Sequence, residues 1–207
     1  MTAHAARFVL ATANPDKARE IVEVVAGTGI ELEPRDPTIP DVEETGATLE
    51  ENARLKAEAI MRATGRPAIA DDTGLEVDAL DGAPGVRSAR FAGPDASYAD
   101  NVALLLERLT DAPPGHRSAR FATVAIARWP DGHEIAAIGT VEGTIAPEPK
   151  GSGGFGYDPV FVPTEGDGRT FAEMTAAEKH SLSHRGRAFR SLVDGVLAMT
   201  ATDDPPA

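Results

Sequence analysis

Two adjacent acids, Asp71 and Asp72, stand at the end of the apolar run Pro67-Ala68-Ile69-Ala70 and lead into Thr73-Gly74. Carboxylates placed side by side repel unless a cation or a shared proton relieves them. The pair therefore reads as an oxygen-ligand site for a hard metal, or as a base whose pKa is raised. The same Asp-Asp-Thr-Gly string is also ordinary turn composition, and acids that cap a turn need no ligand. An apolar run without alternation marks a buried strand of a parallel sheet, and ligands of open α/β sheets gather at the carboxyl ends of such strands. The sequence thus predicts a short strand at 67–70 that delivers both acids into a glycine-rich turn.

Other polar clusters need positions of their own. Thr12, Ala13, Asn14, Pro15, Asp16 and Lys17 join a predicted strand at 7–12 to a predicted helix at 15–26. Asn14 suits the N-cap, Pro15 suits the first helical position, and Ile21, Val24 and Val25 form a buried stripe. Free backbone N–H groups, a hydroxyl, an amide and an ammonium around such a helix start make anion-binding geometry, although any capped helix with an early lysine matches it. Glu43-Glu44 precede a second helix, which opens on the capping box Thr48 to Glu51 and is stopped by Thr64-Gly65. Asn52 and Lys56 lie four apart on one face of it; a solvated surface position is the ordinary fate of such a lysine.

In the last third, the glycine-rich GSGGFGYDPVF presents Phe155, Gly156, Tyr157 and Asp158 ahead of a strand at 160–162. It is no Walker A loop, because the Lys-Ser/Thr pair is missing. Phe155 suits either stacking on a base or plugging the core. AAEKHSLSHRGRAF holds Lys179, His180, Ser183, His184 and Arg185 at the join of two helices. A cation in a first helical turn is electrostatically disfavoured, so an anionic or carbonyl-bearing group is expected to reward His184 and Arg185 there. A third helix begins at Ser97-Tyr98-Ala99-Asp100, and strands at 117–128 and 134–145 form a hairpin around Pro130-Asp131-Gly132.

Length and composition limit what these clusters can belong to. A chain of 207 residues with 42% hydrophobic content buries one substantial core, so 1–207 is expected as one bilobed domain, ordered over about 7–199 with a frayed tail at 202–207. Cysteine is absent, which removes thiolate nucleophiles and zinc-thiolate sites and favours a hard cation such as Mg²⁺. The net charge of -13 argues against a nucleic-acid groove. No apolar run reaches membrane-spanning length and the N-terminus lacks a signal-peptide pattern, so the expected location is the cytoplasm.

TANPDK (12–17), EETG (43–46), ENARLKA (51–57), ADDTGLEVDALDGAPGVRSARFAG (70–93), GGFGYDP (153–159) and EK-x4-HRG (178–186) occur in this order. Together they closely resemble the inosine/xanthosine triphosphate pyrophosphatase family, over about residues 8–197. The departures are minor: His180 stands where a polar residue such as asparagine is expected, and the loop at 166–169 is a little long. The resemblance implies an α/β fold with an elongated central mixed sheet flanked by helices, two lobes around a substrate cleft, and pairing as a homodimer. It also implies cleavage of ITP, dITP or XTP between the α- and β-phosphates, which clears deaminated purines from the nucleotide pool.

The same resemblance assigns roles. Glu43 and Asp72 would carry Mg²⁺, with Glu44 and Asp71 as neighbours, and Asp72 would also be the base that activates water. Residues 12–17 with Lys56 would hold phosphates, Thr73 would contact substrate, and Phe155 would stack on the base, with Gly156, Tyr157 and Asp158 completing the pocket. The donors of Lys179, His184 and Arg185 suit a 6-oxo acceptor and mismatch the amino group of adenine. A broader house-cleaning phosphatase acting on modified nucleotides and a non-catalytic nucleotide sensor are the competing readings.

Overall fold

The structure is a computed structural model, described here for residues 6–202. In chain order it contains β1 (Ala6–Leu10), α1 (Pro15–Val25), β2 (Ile30–Pro34), α2 (Leu49–Thr64), β3 (Ala68–Val77), β4 (Pro84–Gly85), α3 (Tyr98–Arg108), β5 (Ser118–Arg128), β6 (Glu134–Ile145), β7 (Phe161–Pro163), α4 (Ala176–Leu182) and α5 (His184–Thr202). The seven strands form one mixed sheet in the order β2-β1-β3-β5-β6-β7, with β4 added against β3. β1 runs parallel to β2 and to β3, whereas β4 is antiparallel to β3 and β7 to β6. The expected α/β fold with a mixed sheet flanked by helices is what the chain adopts.

Two compact units divide the chain. One holds the residues up to Asp72, Thr123–Gly139 and the residues from Arg185 on; the other holds Thr73–Ala122 and Thr140–His184. The chain crosses between them inside β3, β5 and β6 and at the His184-Arg185 bond. The first unit buries two apolar layers. Phe8, Leu10, Ile21, Ile69, Phe189 and Leu192 belong to one, and Val9, Ala53, Ala57, Ile60, Ala68 and Ile126 to the other. In the second unit Leu75, Leu105, Phe121, Tyr157, Phe161 and Phe171 form a single core.

Local rules explain most element ends. Asn14 accepts from the N–H groups of Asp16 and Lys17, Thr48 and Glu51 form the reciprocal capping box, and Gly65 closes α2 in the left-handed region at φ 64°. β5 and β6 end at the hairpin expected, closed by Trp129 and His133. β7 begins one residue later than predicted. Of the tail expected at 202–207, Thr202 closes α5 and the remainder lies outside the described residues.

The main departure is β3, which does not stop at Ala70. It continues through Asp71, Asp72, Thr73 and Gly74 to Val77, so the two acids lie mid-strand rather than in a turn. Burial overrides the turn composition of this string: Leu75 and Val77 carry the strand into the core of the second unit.

A hairpin ion-pair set yields a pH prediction. Glu134 on β6 accepts from Arg54 and Arg128, and these contacts, Arg54 foremost, hold its carboxyl below its ordinary value. A depressed folded-state value stabilises the fold above the unfolded pKa, near 4.5, and the benefit disappears as pH falls through the folded value. Urea titrations should therefore find Glu134→Gln less stable than the parent at pH 7, with the difference closing below about pH 4. A difference that widened in acid would contradict this account.

Candidate active site

Successive side chains of a strand point to opposite faces, and this decides where the two acids go. Ile69 belongs to the apolar layer shared with α1 and α5, while Ala68 and Ala70 belong to the layer shared with α2. Asp71 follows the parity of Ile69 and meets Lys17 of α1 at 3.5 Å and Arg185 of α5 at 3.5 Å. Asp72 follows the parity of Ala70 and meets Lys56 and Asn52 of α2 at 3.1 and 3.3 Å. Both acids are buried; Arg185 belongs to Asp71 and Lys56 to Asp72, while Lys17 reaches both.

The Asp72 side is a compact electrostatic set. Lys56 Nζ also donates to Glu44 at 2.6 Å, so one ammonium bridges two carboxylates, and Lys17 Nζ stands 4.0 Å from Asp72. Burial pushes the Asp72 carboxyl above its usual range, only partly offset by Lys56 and Lys17. Burial works against the charge on Lys56, but Asp72, Asp71 and Glu44 together hold it above its ordinary value. Lys17 is shifted down, by burial first, with Lys56 and Arg185 adding to it against the pull of Asp71. Lys17 is thus the cation that a further anion would benefit most.

The start of α1 is closed by its own cap. Asn14 Oδ1 takes the N–H groups of Asp16 and Lys17 at 2.9 and 3.2 Å, Pro15 has none, and Ala18 donates to the Asn14 carbonyl. Thr12 Oγ1 accepts from Asn14 N at 3.1 Å. The first-turn amides are therefore engaged within the protein, and the Lys17 ammonium stands beside them. Ala13 and Pro15 are exposed, and Asp16 pairs with Arg19 on the helix surface.

Three further candidate residues have surroundings of their own. Arg185 is not grouped with His184. It is 2% exposed in the first unit, with one guanidinium nitrogen 2.5 Å from Glu20 and the other on Asp71. These acids are the anionic partners that reward a cation in the first turn of α5. Glu20 was missed, although its place one turn after Lys17 puts both on one face of α1. Glu43 is exposed, whereas Glu44 turns to Lys56, so the second carboxylate beside Asp72 is Glu44. Tyr157 lies in the core of the second unit with its hydroxyl donated to the Ser88 carbonyl, and burial pushes its pKa up.

Within that second unit, Phe155 is half-buried in its turn. Its N–H donates to Asp158, whose carboxylate also accepts from Lys179 at 2.5 Å. The Lys179 ammonium lies 5.1 Å from the Phe155 ring centroid, and the Tyr98 ring lies 5.7 Å away. Gly154 has φ 66°, and a Cβ there would strike the Asp158 carboxylate, so this turn requires glycine. Gly156 has φ 63° with open space around it. His184 is buried, its ring stacked on Phe121 at 4.4 Å. Thr73 follows Asp72 along β3, at the start of this unit.

Among the described residues no three His, Cys, Asp or Glu side chains converge as a ready-made metal cage. The donor set nevertheless fits a hard cation. The Glu44 and Asp72 carboxylates both lie within 3.1 Å of one point, the Lys56 nitrogen, and Mg²⁺ is commonly held by one or two carboxylates with the rest of its shell from water and phosphate.

Comparison with known proteins agrees with this architecture. A model of the Ham1 family matches residues 8–195. A dITP/XTP pyrophosphatase of Streptomyces coelicolor is 50% identical over 194 residues, covering 90% of this chain and 95% of the relative. One from Thermus thermophilus is 48% identical over 205 residues, covering 97% and 94%. A HAM1 protein structure from Coxiella burnetii superposes with a TM-score of 0.84 at 40% identity, covering 93% of this chain and 99% of that one. A nucleoside-triphosphatase / dITP/XTP pyrophosphatase structure from Mycobacterium abscessus gives 0.72 at 43% identity, covering 90% and 97%.

Proposed function

The chain belongs to the Ham1 family, and on that footing we propose that it hydrolyses dITP, ITP and XTP to the nucleoside monophosphate and pyrophosphate. The observation that carries this reading is Asp72, a buried carboxylate gripped by Lys56 and Asn52, with Lys17 close by. Burial lifts its proton affinity, which suits a base that takes a proton from water. The water oxygen bonds to the α-phosphorus, the bond from that phosphorus to the α–β bridging oxygen breaks, and pyrophosphate leaves with the electron pair while Asp72 holds the proton. Lys17 and Lys56 neutralise the triphosphate. Asp72 and Glu44 would hold Mg²⁺, which when bound screens phosphate charge and polarises the reacting phosphoryl group.

We assign the purine to Phe155, whose ring suits stacking, and its 6-oxo group to Lys179, the ammonium nearest that ring. Asp158 then keeps the turn and Lys179 in place. The working form is taken to be one bilobed domain, paired as a homodimer in the cytoplasm; no helix among the described residues is long and apolar enough to cross a membrane.

A panel of nucleoside triphosphates with Mg²⁺ tests the reading. Pyrophosphate should be released from ITP, dITP and XTP far faster than from ATP, and chelation of the metal should stop it. Orthophosphate as the product would indicate the broader phosphatase, and binding without turnover the sensor.

A further inference from the structure

Asn52 is 0% exposed and uses both ends of its amide. Its Oδ1 accepts from the Gly46 N–H at 2.8 Å, and its Nδ2 donates to Asp72 Oδ2 at 3.3 Å. Gly46 closes the acidic loop that carries Glu43 and Glu44, and it packs so tightly that a Cβ there would stand 2.7 Å from both Asn52 Oδ1 and Glu51 Cβ. A buried amide left unsatisfied is costly, and here both ends are satisfied by two different elements. It joins the loop of Glu44 to the strand of Asp72. Lys56, one turn further along the same face of α2, joins the same two elements by charge.

We infer that Asn52 is a positioning residue, which sets the separation of the Glu44 and Asp72 carboxylates and orients the Asp72 oxygen that receives the proton. The planar amide fixes direction more tightly than the ammonium does, because its two N–H groups are set by one plane while the three of a lysine rotate freely about the Cε–Nζ bond. The inference rests on the pyrophosphatase reading, and its test separates the two.

Asn52→Asp carries the test, because it preserves volume and the acceptor for Gly46 but turns an oxygen toward Asp72. The expected result is a fall in kcat of about 10- to 100-fold with KM for ITP within about threefold of the parent. On an Asp72→Asn background the same change should cost nothing further, since Asn52 acts through Asp72. Amide exchange at Gly46, read without substrate or metal, should accelerate in Asn52→Ala and stay slow in Asn52→Asp. A kcat within about threefold of the parent would overturn the inference, as would an undiminished loss on the Asp72→Asn background, or equal Gly46 exchange in Asn52→Ala and the parent. If the parent itself releases no pyrophosphate, the functional reading fails, and Gly46 exchange alone decides whether Asn52 ties the loop down.

Discussion

Asp72→Asn should lower kcat for pyrophosphate release from ITP by about 10²- to 10⁴-fold or more and leave the fold in place. Loss of a general base accounts for that range, and weaker metal binding adds to it. The fold survives because the substitution keeps volume and because Lys56, robbed of one carboxylate, retains Glu44 at 2.6 Å. The comparison that gives the result meaning is Asp71→Asn, which removes an adjacent acid facing Lys17 and Arg185 instead of Lys56. Circular dichroism and thermal melting should find the Asp72 variant native-like, with the Asp71 variant losing more stability than activity per folded molecule. Near-parental turnover in Asp72→Asn sinks the assignment of the base.

The second large effect falls on Arg185. Glu20 and Asp71 are both buried, so Arg185→Ala takes a cation from two carboxylates at once, Asp71 keeping Lys17 at 3.5 Å, and removal of one partner from a buried ion pair costs about 3–5 kcal/mol. For a chain of this size that corresponds to a fall in Tm of roughly 6–20 °C. Whatever activity remains should drop alike for ITP and ATP, because the guanidinium faces carboxylates of the first unit and carries no information about the base. A Tm within about 2 °C of the parent, or a fall confined to the 6-oxo substrates, would return Arg185 to base recognition.

The contrast between Arg185 and its neighbour shows what could be read from the chain alone. Caps and hairpins are local devices, and Asn14, the Thr48-Glu51 box and the 134–145 strand were legible because their partners lie within a few residues. The shared face of Asn52 and Lys56 was equally legible from spacing four, and both reach Asp72. His184 and Arg185 looked like one donor cluster because they are adjacent. In a helix, however, neighbours diverge by about 100°, and here one stacks on Phe121 while the other reaches Glu20. β3 was misread at Asp71 for a related reason: turn composition is a local preference, and tertiary burial on both faces prevailed over it.

That alternation along β3 has a bearing on how the gene can change. Which acid faces Lys56 and Asn52 is decided by strand parity, because Asp72 shares a face with Ala68 and Ala70 while Asp71 shares one with Ile69. One codon gained or lost between Ala68 and Asp71 would turn the pair over, presenting the wrong carboxylate to α2 and burying the other opposite Arg185. A change of length in this strand is therefore far costlier than one in the exposed 129–133 turn.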